Sequence, residues 1–256
     1  MKRNIILTAL CIAFLSIAPI HAQKQEETEN KSRFSYLVRA GYSIGGTAPL
    51  GIPDTIRSID AYRLTPSFSV GGDLRISLYK NWGIMTGLRI ENKAMKADIT
   101  TKSYRMEMVK GDSKIEGLFT GHVSQEVTEW MVTVPLEATY TIKQKIVVRG
   151  GPYFSLLFYK DFSGIASDGY LRQGSPVGPK INIGDKEGEW ATYDFSDEMR
   201  IFQMGLALGI DGELTPHFGI SADLNWGLTG IFKSDFKTVE QTLYPIYGTV
   251  SVFYKF

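Results

Sequence analysis

Cysteine is nearly absent from this chain: Cys11 is the only one in 256 residues. It falls inside the first apolar stretch. A chain that loses that stretch can form no disulfide, zinc–thiolate site or thiol nucleophile. A charge bias is absent too. The 28 Lys and Arg residues against 27 Asp and Glu leave a net charge of +1, which argues against nucleic acid as a partner. Histidine is scarce, with only His21, His122 and His217. Long apolar runs are missing after residue 20. That excludes a bundle of membrane-spanning helices, each of which needs about 20 apolar residues. It does not exclude a strand barrel, which shows lipid only every second residue. No phosphate-cradling glycine loop stands out either: Gly45-Gly46 and Gly71-Gly72 sit in or beside strand patterns with no helix to follow. No cofactor is expected.

The one long apolar run opens the chain. Lys2 and Arg3 precede an apolar core over residues 5–17, then Pro19 and Ile20-His21-Ala22. The small residue before Gln23 suits signal-peptide cleavage, and the run is too short to span a bilayer. A lipoprotein reading through Cys11 fails, because Leu10 stands where a small residue is needed. The expected organisation is a cleaved signal over 1–22, a polar periplasmic tail over 23–33 and a barrel over 34–256.

Downstream, apolar residues recur with a period of two. Phe218, Ile220, Ala222, Leu224, Trp226 and Leu228 share one face, while Gly219, Ser221, Asp223, Asn225 and Gly227 share the other. No helix separates these sets, since helical neighbours on a face are three or four apart. Seven more segments alternate likewise, over 34–44, 68–77, 82–91, 130–142, 146–158, 202–211 and 244–256. Their lengths suit tilted membrane-crossing strands. Long connections (45–65, 92–128, 159–198, 231–243) alternate with short ones (79–81, 143–145, 212–217). Short periplasmic turns and long external loops give that rhythm, which places both termini in the periplasm. The fold class is all-β: an eight-stranded antiparallel up-and-down transmembrane β-barrel.

The two faces say which side meets lipid. One carries Arg39, Arg75, Arg89 and Arg149 with Asp73, Glu91, Glu137, Asp211 and Asp223. The other is apolar, and aromatics gather near its strand ends. Phe34, Tyr36, Trp82, Tyr140, Phe218, Tyr254 and Phe256 lie toward the periplasm; Tyr42, Phe68, Trp130, Phe158, Phe202 and Tyr244 lie toward the outside. Paired aromatic belts are what two membrane interfaces select, whereas a soluble lipocalin-like barrel would turn its apolar face inward. Eight strands enclose just enough room for side chains. The charges are therefore expected to pair as an interior plug.

Three stretches carry a resemblance: Thr133-Val134-Pro135-Leu136-Glu137-Ala138-Thr139-Tyr140, Val148-Arg149-Gly150-Gly151-Pro152-Tyr153 and Val252-Phe253-Tyr254-Lys255-Phe256. In this order they resemble the outer-membrane β-barrel family of Bacteroidetes often labelled PorT-like. The middle stretch departs from its "G-x-G-P-Y" pattern, with Arg149 in place of the first glycine. The resemblance implies a barrel in the outer membrane among lipid. It also implies recognition of the terminal Phe256 by barrel-assembly machinery and, as an alternative role, a part in protein secretion or outer-membrane assembly.

The enzymatic alternative is a lipid-modifying barrel with a rim histidine. His122, near Ser124 and Glu126, is the only histidine on the outer side, and adjacency in sequence does not make a catalytic set. The third long connection holds Asp161, Asp168, Asp185, Glu187, Glu189, Asp194 and Asp197, without the spacing of a calcium loop. No catalytic, cofactor-binding or metal-binding residue is assigned. The expected function is a non-enzymatic barrel whose long connections bind a partner, extracellular or periplasmic, that the sequence does not identify.

Overall fold

The computed structural model describes residues 33–256 apart from 50, 52, 144, 237 and 240. The expected signal over 1–22 and the tail up to residue 32 lie outside the described residues. Eleven strands follow in chain order: β1 (Phe34–Pro49), β2 (Ile56–Leu64), β3 (Ser67–Tyr79), β4 (Trp82–Lys110), β5 (Ser113–Ile142), β6 (Ile146–Gln173), β7 (Lys180–Ile183), β8 (Ala191–Asp194), β9 (Phe202–Glu213), β10 (Phe218–Gly227) and β11 (Leu243–Lys255). A single turn of 3-10 helix, Ser196–Glu198, precedes β9.

Eight of these strands close a ring in the order β1-β3-β4-β5-β6-β9-β10-β11, with β11 paired back onto β1. Every neighbouring pair is antiparallel. The alternation in sequence dictates this, because a one-residue slip would turn each charged face toward lipid. In the observed register Tyr42 lies opposite Phe68 and Val38 opposite Tyr254, all on the outer face. The aromatic residues near both strand ends touch across strands: Trp82 on Tyr140 at 5.0 Å and Phe218 on Tyr254 at 5.0 Å at one end, Phe68 on Trp130 at 5.2 Å at the other.

The two longest connections differ from expectation. Residues 92–128 and 159–198 do not form loops. β4, β5 and β6 run on for 29, 30 and 28 residues, well past the second aromatic belt, and β7 and β8 pair onto β6. The period of two continues there, but its apolar members (Met95, Met106, Met108, Phe119, Val123, Val127) now face inward. Outside lipid, burial is the only apolar option. The phase also breaks at Phe158, an extra residue opposite the Trp130–Met131 step. Such a bulge puts Phe158 and Tyr159 on the same outer side and hides the continuation of β6 from a strict alternation test.

Candidate functional site

The ring interior is built in tiers. Toward the short-turn end, Leu37, Met85, Val147 and Phe253 are buried inward-facing apolar residues beside the charges, with the Arg39 guanidinium 5.5 Å from the Phe253 ring centroid. Among and above them lies the ion-pair network. Arg39 reaches across the ring, donating to Asp73 on β3 at 2.9 Å, Asp211 on β9 at 3.1 Å and Ser221 on β10 at 2.5 Å. Arg75 donates to Asp211 at 2.7 Å and Arg89 to Asp73 at 3.1 Å. Arg149, wholly buried, donates to Glu137 at 2.9 Å and Asp211 at 3.0 Å. Asp223 sits 2.5 Å from Arg149 and 3.9 Å from both Arg39 and Arg89. These are ion pairs only, since neither Asp223 oxygen accepts a hydrogen bond.

Two glycines open the space that the guanidinium groups occupy. Gly209 stands between Arg149 and Asp223 on neighbouring strands. A Cβ there would come within 2.6 Å of the Arg149 Cζ. Gly71 stands likewise between Arg39 and Arg89. Without side chains at these positions, the arginines span a strand to reach their carboxylates.

Eight of the nine charges expected to plug the interior join this network. Glu91 does not pair with an arginine. It lies one tier further on, 3.3 Å from Lys93, and accepts from Thr133 at 2.7 Å. Lys93, Glu129 and Gln203 escaped the sequence reading because Lys93 was assigned to a loop, Glu129 fell between a loop and a strand, and Gln203 looked like an ordinary polar alternate. Glu129 accepts from Gln203 at 2.6 Å, and the Lys93 ammonium lies 5.4 and 5.6 Å from the Tyr153 and Tyr247 rings. A lysine followed by inward-facing positions two apart was the available signal.

Beyond the second belt the interior turns apolar. The extended β4, β5 and β6, with β2, β7 and β8, form a head around Met106, Phe119, Phe162, Tyr193, Phe195 and Phe232. Phe162 meets Phe232 edge-on at 4.8 Å. The outer surface of the head carries exposed ion pairs, Lys96 with Glu126 at 2.7 Å and Arg63 with Asp98 at 2.6 Å, beside exposed apolar residues such as Ile59 and Tyr62. Hydrogen bonds from the Ser58 and Thr100 hydroxyls hold the Asp60 carboxyl below its ordinary range, and Glu107 raises Lys114.

The geometry separates His122 from its sequence neighbours. His122 lies on the solvent side of β5, 3.0 Å from the Thr100 hydroxyl and 3.5 Å from Asp60. Ser124 instead donates to Asp98 at 2.7 Å, and Glu126 is held by Lys96. The acidic residues of the third connection are dispersed. Asp161 and Asp168 lie on β6 and Asp194 ends β8. Among the described residues, no three histidine or acidic side chains converge as a metal site.

Several solved outer-membrane structures align with this chain. Ail, the attachment invasion locus protein of Yersinia pestis, matches at 11% identity over 88% of this chain and 99% of its own, with a TM-score of 0.38. Neisserial surface protein A matches at 10% identity over 88% and 98%, with a TM-score of 0.35. OprG from Pseudomonas aeruginosa matches at 10% over 87% and 95%, with a TM-score of 0.34. Likenesses this distant leave the fold assignment to rest on the strand ring itself. No curated protein matches the chain significantly. Residues 21–233, most of the chain, match the family model described as the outer membrane protein beta-barrel domain; with its closed ring of eight strands, the protein belongs to that family and resides in the outer membrane.

Proposed function

We propose that this protein is a non-enzymatic anchor: a plugged barrel that holds a rigid β-structured head outside the cell, where the head binds a partner. The observation that carries this reading is the sequence of interior tiers. Arg39, Arg75, Arg89 and Arg149 interlock with carboxylates on β3, β5, β9 and β10, and Lys93 with Glu91 closes the next level. An interior so filled serves poorly as a pore. The residues spent on length instead lie in β4, β5 and β6, which lift an ordered surface beyond the belt. Measurement in planar bilayers tests the plug: no steady porin-like conductance is expected, and a large one refutes the reading. A tag in the 111–112 turn reachable on intact cells tests the orientation.

A role in secretion or assembly is supported by the PorT-like stretches, but their geometry favours a structural use. The first two lie side by side, Pro135 opposite Tyr153 and Ala138 opposite Gly150. A Cβ on Gly151 would meet the Leu136 carbonyl at 2.2 Å and the Glu137 Cα at 2.9 Å. Gly151 thus lets β5 and β6 close around Glu137, a requirement of the plug. Pull-down from detergent-solubilised membranes separates the readings: recovery of secretion-machinery components would favour the accessory role.

A further inference from the structure

The wall of the head is unzipped along one line. β1 is paired with β11 as far as Pro49 opposite Leu243, but with β3 only as far as Ser43 opposite Ser67. β2 pairs with β4, from Leu64 opposite Met95 to Ile56 opposite Thr101, and with no other strand among the described residues. The outer end of β1 therefore faces β2 with no backbone ladder between them. Among the described residues a single side-chain bond crosses, from the Tyr62 hydroxyl to the Gly45 carbonyl. The Thr47 amide, which a continuous sheet would pair with a carbonyl, donates to the Met95 sulfur at 3.0 Å. A thioether is a weak acceptor.

Behind this seam lies a cavity of about 460 Å³, within the roughly 300–1,000 Å³ typical of small-molecule sites. Met95, Tyr104, Met106, Val123, Phe162 and Phe195 line its depth, and no charged side chain lines it among the described residues. Its mouth is formed by Ile44, Gly46, Ile56, Ile59 and Tyr62. Ile44 continues the outward row of Val38, Ala40 and Tyr42, and Tyr42 sits opposite Phe68 in the second aromatic belt. The mouth thus opens one residue pair above the belt, continuous with the lipid-facing surface. Tyr193, buried in the lining, has a hydroxyl with no hydrogen-bond partner. That hydroxyl packs over Gly164, away from the open space, so the lining offers a ligand an almost wholly apolar surface.

From this geometry we propose that the head binds a long aliphatic acyl chain, which enters sideways through the β1–β2 seam. The chain supplies the apolar surface that an apolar cavity of this kind accepts, and its polar head stays at the mouth, beside the aromatic belt. The Lys93–Glu91 tier beneath would stop it from passing into the barrel. The inference deepens the binding role proposed above and rests on it.

The test uses the full-length protein in lipid nanodiscs and two photoreactive probes: palmitate with a mid-chain diazirine, added from solution, and a phospholipid with the same chain, placed in the bilayer. Mass spectrometry locates the adducts. Labels on Met95, Met106 or Phe162, competed by unlabelled palmitate or phospholipid, support the proposal. Whichever probe delivers them identifies the source as free fatty acid or membrane lipid. Two variants close the mouth. In Gly46→Leu the new side chain starts 2.7 Å from the Tyr62 hydroxyl and 3.0 Å from the Met95 sulfur. In Ile59→Lys a charge is added at an exposed site where folding is not at stake. Displacing about two methylenes' worth of contact predicts roughly tenfold less interior labelling, with heat-modifiable migration in SDS unchanged. Adducts confined to outward residues such as Val250, or interior labelling equal in both variants and parent, overturn the proposal. Either result with no conductance and a surface-reachable 111–112 turn sinks the acyl site alone. A conducting pore or an unreachable turn would instead sink the anchor reading.

Discussion

Replacing Arg149 with methionine should be among the most damaging single changes in the barrel. The guanidinium is wholly buried and serves Glu137, Asp211 and Asp223 together. Methionine keeps most of the volume and none of the charge, leaving three carboxylates crowded with less compensation. Asp211 retains Arg39 and Arg75, and Asp223 retains more distant contacts with Arg39 and Arg89. Glu137, by contrast, has no other ion-pair partner among the described residues. Breaking a buried pair from one side typically costs about 3–5 kcal/mol, and the loss should fall in that range. Glu137→Gln should cost less, because Arg149 keeps two acids. In the double variant the stranded carboxylate is gone, so the combined loss should undershoot the sum by about 1–3 kcal/mol, the usual scale of coupling between contacting residues. Urea unfolding in detergent micelles, scored by the heat-modifiable band in SDS gels, measures each corner of this cycle. An Arg149→Met barrel within about 1 kcal/mol of the parent, or strict additivity, would refute the interlocked plug.

Other outcomes follow from the same geometry. Gly209→Val should mimic a weakened Arg149, since its side chain would occupy the space of the guanidinium; urea midpoints report this, and an unchanged midpoint contradicts the window role of Gly209. Epitope tags in the 111–112 turn should be reachable on intact cells and tags in the 143–145 turn should not, and the reverse pattern overturns the orientation. His122→Ala should leave the lipid A profile of expressing cells unchanged by mass spectrometry, because Ser124 is engaged by Asp98 and not by His122; an altered profile would revive the enzymatic alternative.

The ring was legible in the sequence because each crossing strand has two chemically opposite faces. Residues 218–228 specify their own orientation, and the pairing of Arg39 and Arg149 with acids follows from the narrow interior. The head was not legible, for two reasons. Past the belt there is no lipid, so polar residues such as Lys96, Asp98 and Glu126 occupy the outer face and the segment reads as a hydrophilic loop. At Phe158 the bulge shifts the phase of alternation. Lys93 and Glu129 fell at the edges of the same blind zone, two positions and one position from residues assigned as strand. The cavity and its seam depend on β2 leaving β1 unpaired, and no local pattern in 45–65 encodes that absence of pairing.

The closure of β1 onto β11 also governs the kinetics of assembly. It joins opposite ends of the chain, Leu37 to Lys255 at one limit and Pro49 to Leu243 at the other, whereas the β4–β5 and β5–β6 hairpins join neighbours in sequence. Contacts so far apart are slow to form, because chain entropy is lost before they give any return. The hairpins should therefore arise early and the ring last. Arg39 belongs to the closing strand, while its partners Asp73, Asp211 and Ser221 wait on β3, β9 and β10. Until β1 arrives those acids line an open, water-filled trough, and the final zipper both seals the wall and neutralises its contents. Closure is the step at which an intermediate would stall.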